Sequence, residues 1–230
     1  MPPLWTVELA EEFRRRAGGS DSVSHDLRGA IVRTLPVTVV DLPRLRVDTV
    51  DRWLARQSIP CDLAAPDRPL RACVIARYGS GAIFVDDTDP DDEYRFSLAH
   101  ELAHFLRHYR HPRRRAIERV GTGVLEVLDG DRPAALGERI DSLVTHVPVG
   151  AYIHLMDRGG RRVDDAEREA DLLACELLAP MDEVLHETAG GDLVAVLVGR
   201  YGLPPAVAGR YAASLTPAPR RSAAERLGLV

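Results

Sequence analysis

The chain has 230 residues, of which 45% are hydrophobic, 28% charged and 5% aromatic, a composition that folds and excludes a disordered, collagenous or low-complexity protein. The length suits one domain with elaborations, or one domain and a small appendage. Thirty basic against 35 acidic side chains leave a net charge of −5 and a pI near 5.9, which is not the basic excess of a dedicated nucleic-acid binder and offers nothing to anionic lipid.

Cys61, Cys73 and Cys175 are odd in number and widely spaced, so neither a disulfide framework nor a thiolate zinc site is expected, and a reducing compartment is. The N-terminus lacks a basic start followed by an apolar run, and no stretch of 18 apolar residues occurs. The expectation is a cytoplasmic protein that does not bind membranes.

Apolar residues at helical spacing predict short helices over 7–16 and 25–35, parted by Gly18-Gly19-Ser20. Val47, Val50 and Leu54, set against Asp48, Asp51 and Arg52, predict a third helix over 47–57 that ends before Ile59-Pro60. Two runs rich in Val, Ile and Phe, 71–78 and 82–86, flank Gly79-Ser80-Gly81 and read as a β-hairpin. A helix over about 91–109 follows, with Leu98, Leu102, Phe105 and Tyr109 at spacings of four and three. Glycines and Pro133 break 112–162, with a helix expected near 133–144. Asp164 or Asp165 should cap a helix running to Leu178 and stopped by Ala179-Pro180, and two further helices are expected over 192–201 and 205–215. The organisation reads as an N-terminal helical segment (1–46), a core (47–181) with an insert over about 107–163, and a C-terminal helical segment (182–230).

His100-Glu101-Leu102-Ala103-His104 is an H-E-x-x-H pattern. On a helix its two histidines project from one face about 6 Å apart and can chelate one metal, for which neutral imidazoles favour Zn²⁺. Glu101, one residue on from His100, reaches a water rather than the ion and is the candidate general base. The composition would produce this pentad by chance in about 2% of such chains. The apolar neighbours Leu98, Ala99, Phe105 and Leu106 make the helix mostly buried, where unpaired His and Glu would be costly.

An open catalytic site needs a third protein ligand. A metzincin spacing is excluded, because the required Gly and His positions are Arg107 and Arg110. One straight helix cannot wrap His108 onto the same ion, so His108 reads as solvated or outside the ligand set. On the 165–178 helix Ala166, Ala170, Leu173, Ala174 and Leu177 cluster on one face. Glu167 borders that face with Asp171 beside it, whereas Glu169 and Glu176 fall on the solvent side. Glu167 is therefore the expected ligand, and Asp171 the expected partner of a liganding histidine's second ring N–H. Tyr152, His154 and His146 are the positional candidates for stabilising the electrophile.

The block Tyr94-Arg95-Phe96-Ser97-Leu98-Ala99 leading into His100–His104, together with 167–180 (Glu-Arg-Glu-Ala-Asp-Leu-Leu-Ala-Cys-Glu-Leu-Leu-Ala-Pro), resembles the ImmA/IrrE family of zinc metallopeptidases over about 49–181. The resemblance implies an α+β, mostly helical, thermolysin-like zincin core of gluzincin type. In it a small antiparallel sheet lies next to the HExxH helix, His100, His104 and Glu167 hold zinc, Glu101 is the base, and a helix pair follows at the C-terminus. It also implies a cytosolic endopeptidase acting in trans on a regulatory protein such as an XRE-type helix-turn-helix repressor, in mobile-element or DNA-damage stress responses. Ala103 stands where the family has Gly, Ala179 where it has Met, and 62 residues (105–166) separate the two blocks.

Two other classes fit the same residues: a non-catalytic module stapled by zinc that sequesters a partner, and the toxin of a toxin–antitoxin-like pair. The arginine-rich stretch 107–119 reads as a solvated face or as a steering patch for an acidic segment. The 82–86 strand reads as either an interior strand or an acceptor for an extended peptide.

Overall fold

The computed structural model describes residues 1–61, 63–135, 148–158, 164–188 and 191–216. Helix α1 (Leu4–Ala17) ends at Gly18, whose φ of 96° is the left-handed turn that glycine takes without strain. The helix expected over 25–35 forms as α3 (Leu27–Thr34), and a further short helix, α2 (Ser20–His25), precedes it; Asp26 leaves helical geometry between them and caps α3 by accepting from the Gly29 N–H. Strand β1 (Val37–Leu42) and helix α4 (Val47–Arg56) follow.

Strands β2 (Leu70–Arg77) and β3 (Ser80–Asp86) form the expected hairpin. Its two-residue turn puts Tyr78 (φ 52°) and Gly79 (φ 79°) in the left-handed region that tight hairpins demand. Helix α5 (Asp91–His104) passes into a π-helical turn (Phe105–Arg110) and then α6 (His111–Val120), a 3₁₀ turn (Thr122–Val124) and α7 (Leu125–Leu128). The helix expected near 133–144 lies almost wholly outside the described residues. Strand β4 (Tyr152–Asp157) precedes α8 (Asp165–Leu178), which Asp164 caps by accepting from the Glu167 N–H. Helices α9 (Met181–Glu187), α10 (Leu193–Gly199) and α11 (Pro205–Leu215) complete the described chain.

The fold is mixed α+β with a small four-stranded sheet in the order β1-β3-β2-β4. The sheet is mixed, which corrects the antiparallel expectation: β1, from the segment read as helical, pairs parallel with β3, while β2 runs antiparallel to β3 and β4. β3 is thereby an interior strand, and β4 is the edge strand beside it across β2.

Both faces of the central strands are covered, which is why β2 reads as a continuous apolar run and not as an alternation. Ala72, Val74, Ala76, Ile83 and Val85 join the helical layer of α1, α3, α5, α8 and α11, in a buried cluster that reaches from Ala10 to Leu215. Cys73, Ile75 and Phe84 face the other way and are sealed by Val47, Val50 and Leu54 of α4. Each of those fully buried aliphatic side chains contributes about 1.5–3 kcal/mol. Gly81 is demanded by packing, since a Cβ there would sit 3.0 Å from the Phe105 ring.

Candidate metal centre

Every residue of α5 from Phe96 to His104 is buried. The sheet lies on one side of this helix and α8 on another, so polar groups at 100, 101 and 104 must find partners inside the protein. Ala99 and Ala103 of α5, like Ala170 and Ala174 of α8, are fully buried, and these small side chains let the two helices approach. The π-turn directly after His104 is the kind of interruption that recurs at functional sites. It seats Tyr109 so that its hydroxyl accepts from the Gly79 N–H at 2.7 Å, tying the end of the motif helix to the hairpin turn.

His100 Nε2 and His104 Nε2 lie 3.1 Å apart. Glu167 on α8 reaches both, with Oε2 3.4 Å from His100 Nε2 and Oε1 3.5 Å from His104 Nε2. His154 on β4 joins them, and ligand-capable atoms of His100, His104, His154 and Glu167 all fall within 4.8 Å of one another. The outward nitrogens are held as well. His100 Nδ1 lies 3.0 Å from Asp171 Oδ1, and His104 Nδ1 lies 3.0 Å from the Tyr152 hydroxyl. A carboxylate only accepts, so His100 donates through Nδ1 and turns the Nε2 lone pair inward; Tyr152, accepting from His104, does the same for the second imidazole.

Glu101 is wholly buried, and its two carboxylate oxygens lie 3.0 and 2.9 Å from His154 Nδ1. His154 Nε2 is 2.6 Å from Glu167 Oε1. Burial opposes charge on His154, yet Glu101 and Glu167 outweigh it and raise its pKa to about 10. Burial pushes His104 down to about 4, which keeps it neutral. Burial works against the ionised form of Glu167 too, but the imidazoles of His100, His104 and His154 that face it outweigh burial and hold it far below the ordinary carboxylate range. A cavity of about 360 Å³ opens onto the group and is lined by Tyr152, His154, Glu167, His104, Leu63 and Arg68.

The residues singled out from the sequence thus meet at one place: His100, Glu101, His104, Glu167, Asp171, Tyr152 and His154. His146 lies outside the described residues. Glu169 stays off the site and grips Arg107 through two hydrogen bonds of 2.8 and 3.2 Å. His108 is half-buried and not fully solvated, and its ring sits 5.2 Å from that of His104.

Two placements on α8 need correction. Ala166, read as core, is exposed. Glu176, read as solvent-facing, is fully buried, accepting from the Tyr211 hydroxyl at 2.7 Å and the Met181 N–H at 3.2 Å. Helices α1 and α11 cover the side of α8 that faces away from α5, and periodicity on α8 alone carries no trace of them. The arginine-rich stretch is largely paired, with Arg113 on Asp129 at 2.9 Å, Arg114 on Glu12 at 2.9 Å and Arg107 on Glu169.

The sequence around Tyr152 and His154 carries a strand signal. They alternate in a short run, Tyr-Ile-His-Leu-Met, bounded by Gly150 and Arg158, which is the pattern of a strand with one face inward.

No curated protein matches the chain. Residues 63–122 match the Peptidase_M78 family model, described as an IrrE N-terminal-like domain, and the resemblance to ImmA/IrrE-type peptidases is thereby shown over the segment that holds the hairpin and the HExxH helix.

Proposed function

We propose that the chain is a zinc-dependent endopeptidase in which His100, His104 and Glu167 hold the metal and Glu101 is the general base. One observation carries the reading: two inward-facing imidazole nitrogens and a carboxylate converge at separations of 3.1, 3.4 and 3.5 Å. Ligands on a tetrahedral ion at about 2.0–2.2 Å stand about 3.3–3.6 Å apart; the two histidine–carboxylate separations fall in that range and the histidine–histidine one is 0.2 Å short of it, so the donor set fits in chemistry and closely in size. The match to a peptidase family model supports the same reading.

Bound zinc would supply Lewis acidity, polarising a peptide carbonyl and lowering the pKa of a water. Glu101, buried beside the same cleft, would take that water's proton and return it to the leaving amine. Asp171 and Tyr152 would hold the two histidines in the tautomer that presents Nε2. Tyr152, whose pKa burial pushes up so that it keeps its proton, would assist with an oxyanion. The substrate we propose is a regulatory protein in the cytoplasm, such as an XRE-type repressor, cut in trans. Among the described residues no helix is long and apolar enough to cross a membrane.

The test is elemental analysis of protein purified without chelator, together with cleavage of an unstructured carrier such as casein. About one zinc per chain is expected in the wild type, lost in His104→Ala and Glu167→Ala and retained in Glu169→Ala. Cleavage should disappear in Glu101→Gln while zinc remains. Equal metal loss in Glu167→Ala and Glu169→Ala would overturn the ligand assignment, and cleavage that survives Glu101→Gln would overturn the mechanism.

A further inference from the structure

We infer that His154 is a positioning residue for Glu101, holding the base from the fourth strand through its Nδ1–H, and that it is not a metal ligand. The inference rests on the peptidase reading above and names how that site is set.

The sheet aims His154 at the motif helix. It pairs with Val74 of β2, as Tyr152 pairs with Ala76. Val74 and Ala76 belong to the face of β2 that packs on the helical layer. Side chains directly opposite on neighbouring strands share a face, so Tyr152 and His154, two residues apart, both point at α5. Tyr152 meets His104 and His154 meets Glu101. One strand face therefore contacts two of the three polar members of the motif.

Proximity to His100, His104 and Glu167 makes His154 look like a fourth ligand, but ring geometry argues against it. An ion bound through an imidazole nitrogen lies in the plane of that ring. The His104 and His154 rings are stacked, with centroids 3.6 Å apart and planes only 19° from parallel. Two such planes cannot both contain one ion placed at bonding distance from both nitrogens.

What His154 does contact, besides Glu167 Oε1 at 2.6 Å through Nε2, is the carboxylate of the base through Nδ1. A single N–H stands 2.9–3.0 Å from both oxygens of Glu101 and fixes the plane of a group that is otherwise free to turn about its last torsion. The side chain of His154 remains 16% exposed toward the cleft, whereas that of Glu101 is fully enclosed. His154 thus stands between the base and the cleft.

The experiment uses the full chain labelled with ¹⁵N-histidine and loaded with ¹¹³Cd²⁺ in place of zinc. Ring nitrogens of His100 and His104 should show coupling to cadmium and those of His154 none. A downfield His154 Nδ1–H resonance should be present and should vanish in Glu101→Ala. In cleavage assays, His154→Ala should lower kcat by about 10- to 100-fold with KM and bound metal unchanged, and His154→Gln, which keeps an N–H donor, should recover part of the loss.

Cadmium coupling to His154, metal loss in His154→Ala, or an Nδ1–H signal indifferent to Glu101→Ala would overturn the inference. A wild-type protein that binds metal but cleaves nothing would remove the peptidase reading, and the spectra would still decide between ligand and positioning residue.

Discussion

Asp171→Ala isolates the support of one histidine without touching a proposed ligand. Asp171 Oδ1 stands 3.0 Å from Nδ1 of a His100 that has no exposed surface. Removing the carboxylate leaves a buried N–H without its acceptor and frees the imidazole to take the other tautomer, which would place a proton on the nitrogen proposed to bind the metal. A hydrogen bond to a charged partner is worth about 1.5–3 kcal/mol, or about 10- to 150-fold in a dissociation constant at 1.4 kcal/mol per tenfold. The Asp171 side chain is 25% exposed, so water can replace part of what is lost. We therefore expect zinc to bind about 10- to 50-fold more weakly, measured by competition with a chromophoric chelator. Asp171→Asn, which keeps a neutral acceptor, should fall between. Glu169→Ala is the control, because its partner is the part-exposed Arg107 and such a pair contributes about 1 kcal/mol or less. Equal zinc affinity in Asp171→Ala and wild type would refute the claim that α8 orients His100.

Asp86, only 1% exposed, accepts from the backbone N–H groups of Arg44, Leu45 and Thr88 and from Arg158, and Asp86→Ala should destabilise by about 3–5 kcal/mol. Burial raises its pKa but those donors win and lower it below the ordinary value of 3.8. The folded chain therefore binds fewer protons there than the unfolded one, so the stabilisation is present above the unfolded value and is lost as pH falls through the folded one. Urea midpoints should drop with acidification in wild type and less so in Asp86→Ala; parallel curves would contradict this. Gly81→Ala places a methyl 3.0 Å from the Phe105 ring and 3.3 Å from the Ile75 carbonyl, and should cost about 1–3 kcal/mol in denaturant titration. An unaltered midpoint would mean that the turn after His104 yields more easily than its burial implies.

Much of this was legible because the signals were local. The H-E-x-x-H spacing, the Asp164 cap, the proline stop after Leu178 and the hairpin turn each depend on a handful of adjacent residues. Glu167 and Asp171 were found because only one side of α8 had to be judged, the side that faces α5. The failures share the opposite property. Glu176 looked solvent-facing since nothing on α8 announces that α1 and α11 cover its far side, where Arg14 donates to the Glu176 backbone carbonyl at 2.6 Å and Tyr211 reaches the carboxylate. Strand β1 pairs in parallel with β3 across 44 positions of sequence (81 − 37 for Val37 and Gly81), a partnership with no turn signature to betray it.

The long gap between the motif blocks acquires a physical reason from β4. A single helix can offer two imidazoles and a carboxylate, but their side chains leave it in diverging directions and must be braced from outside. Helix α8 supplies that brace for His100 through Asp171, and reaches across with Glu167. It cannot also reach the outer nitrogen of His104 or the carboxylate of Glu101. Those are met by an edge strand built from the residues between the blocks, whose two-residue period sets Tyr152 and His154 on one face. The 62 intervening residues thus do more than lengthen a loop. They add the third wall of the site, and a deletion that joined α6 directly to α8 would keep all three expected ligands while leaving His104 and Glu101 without their partners.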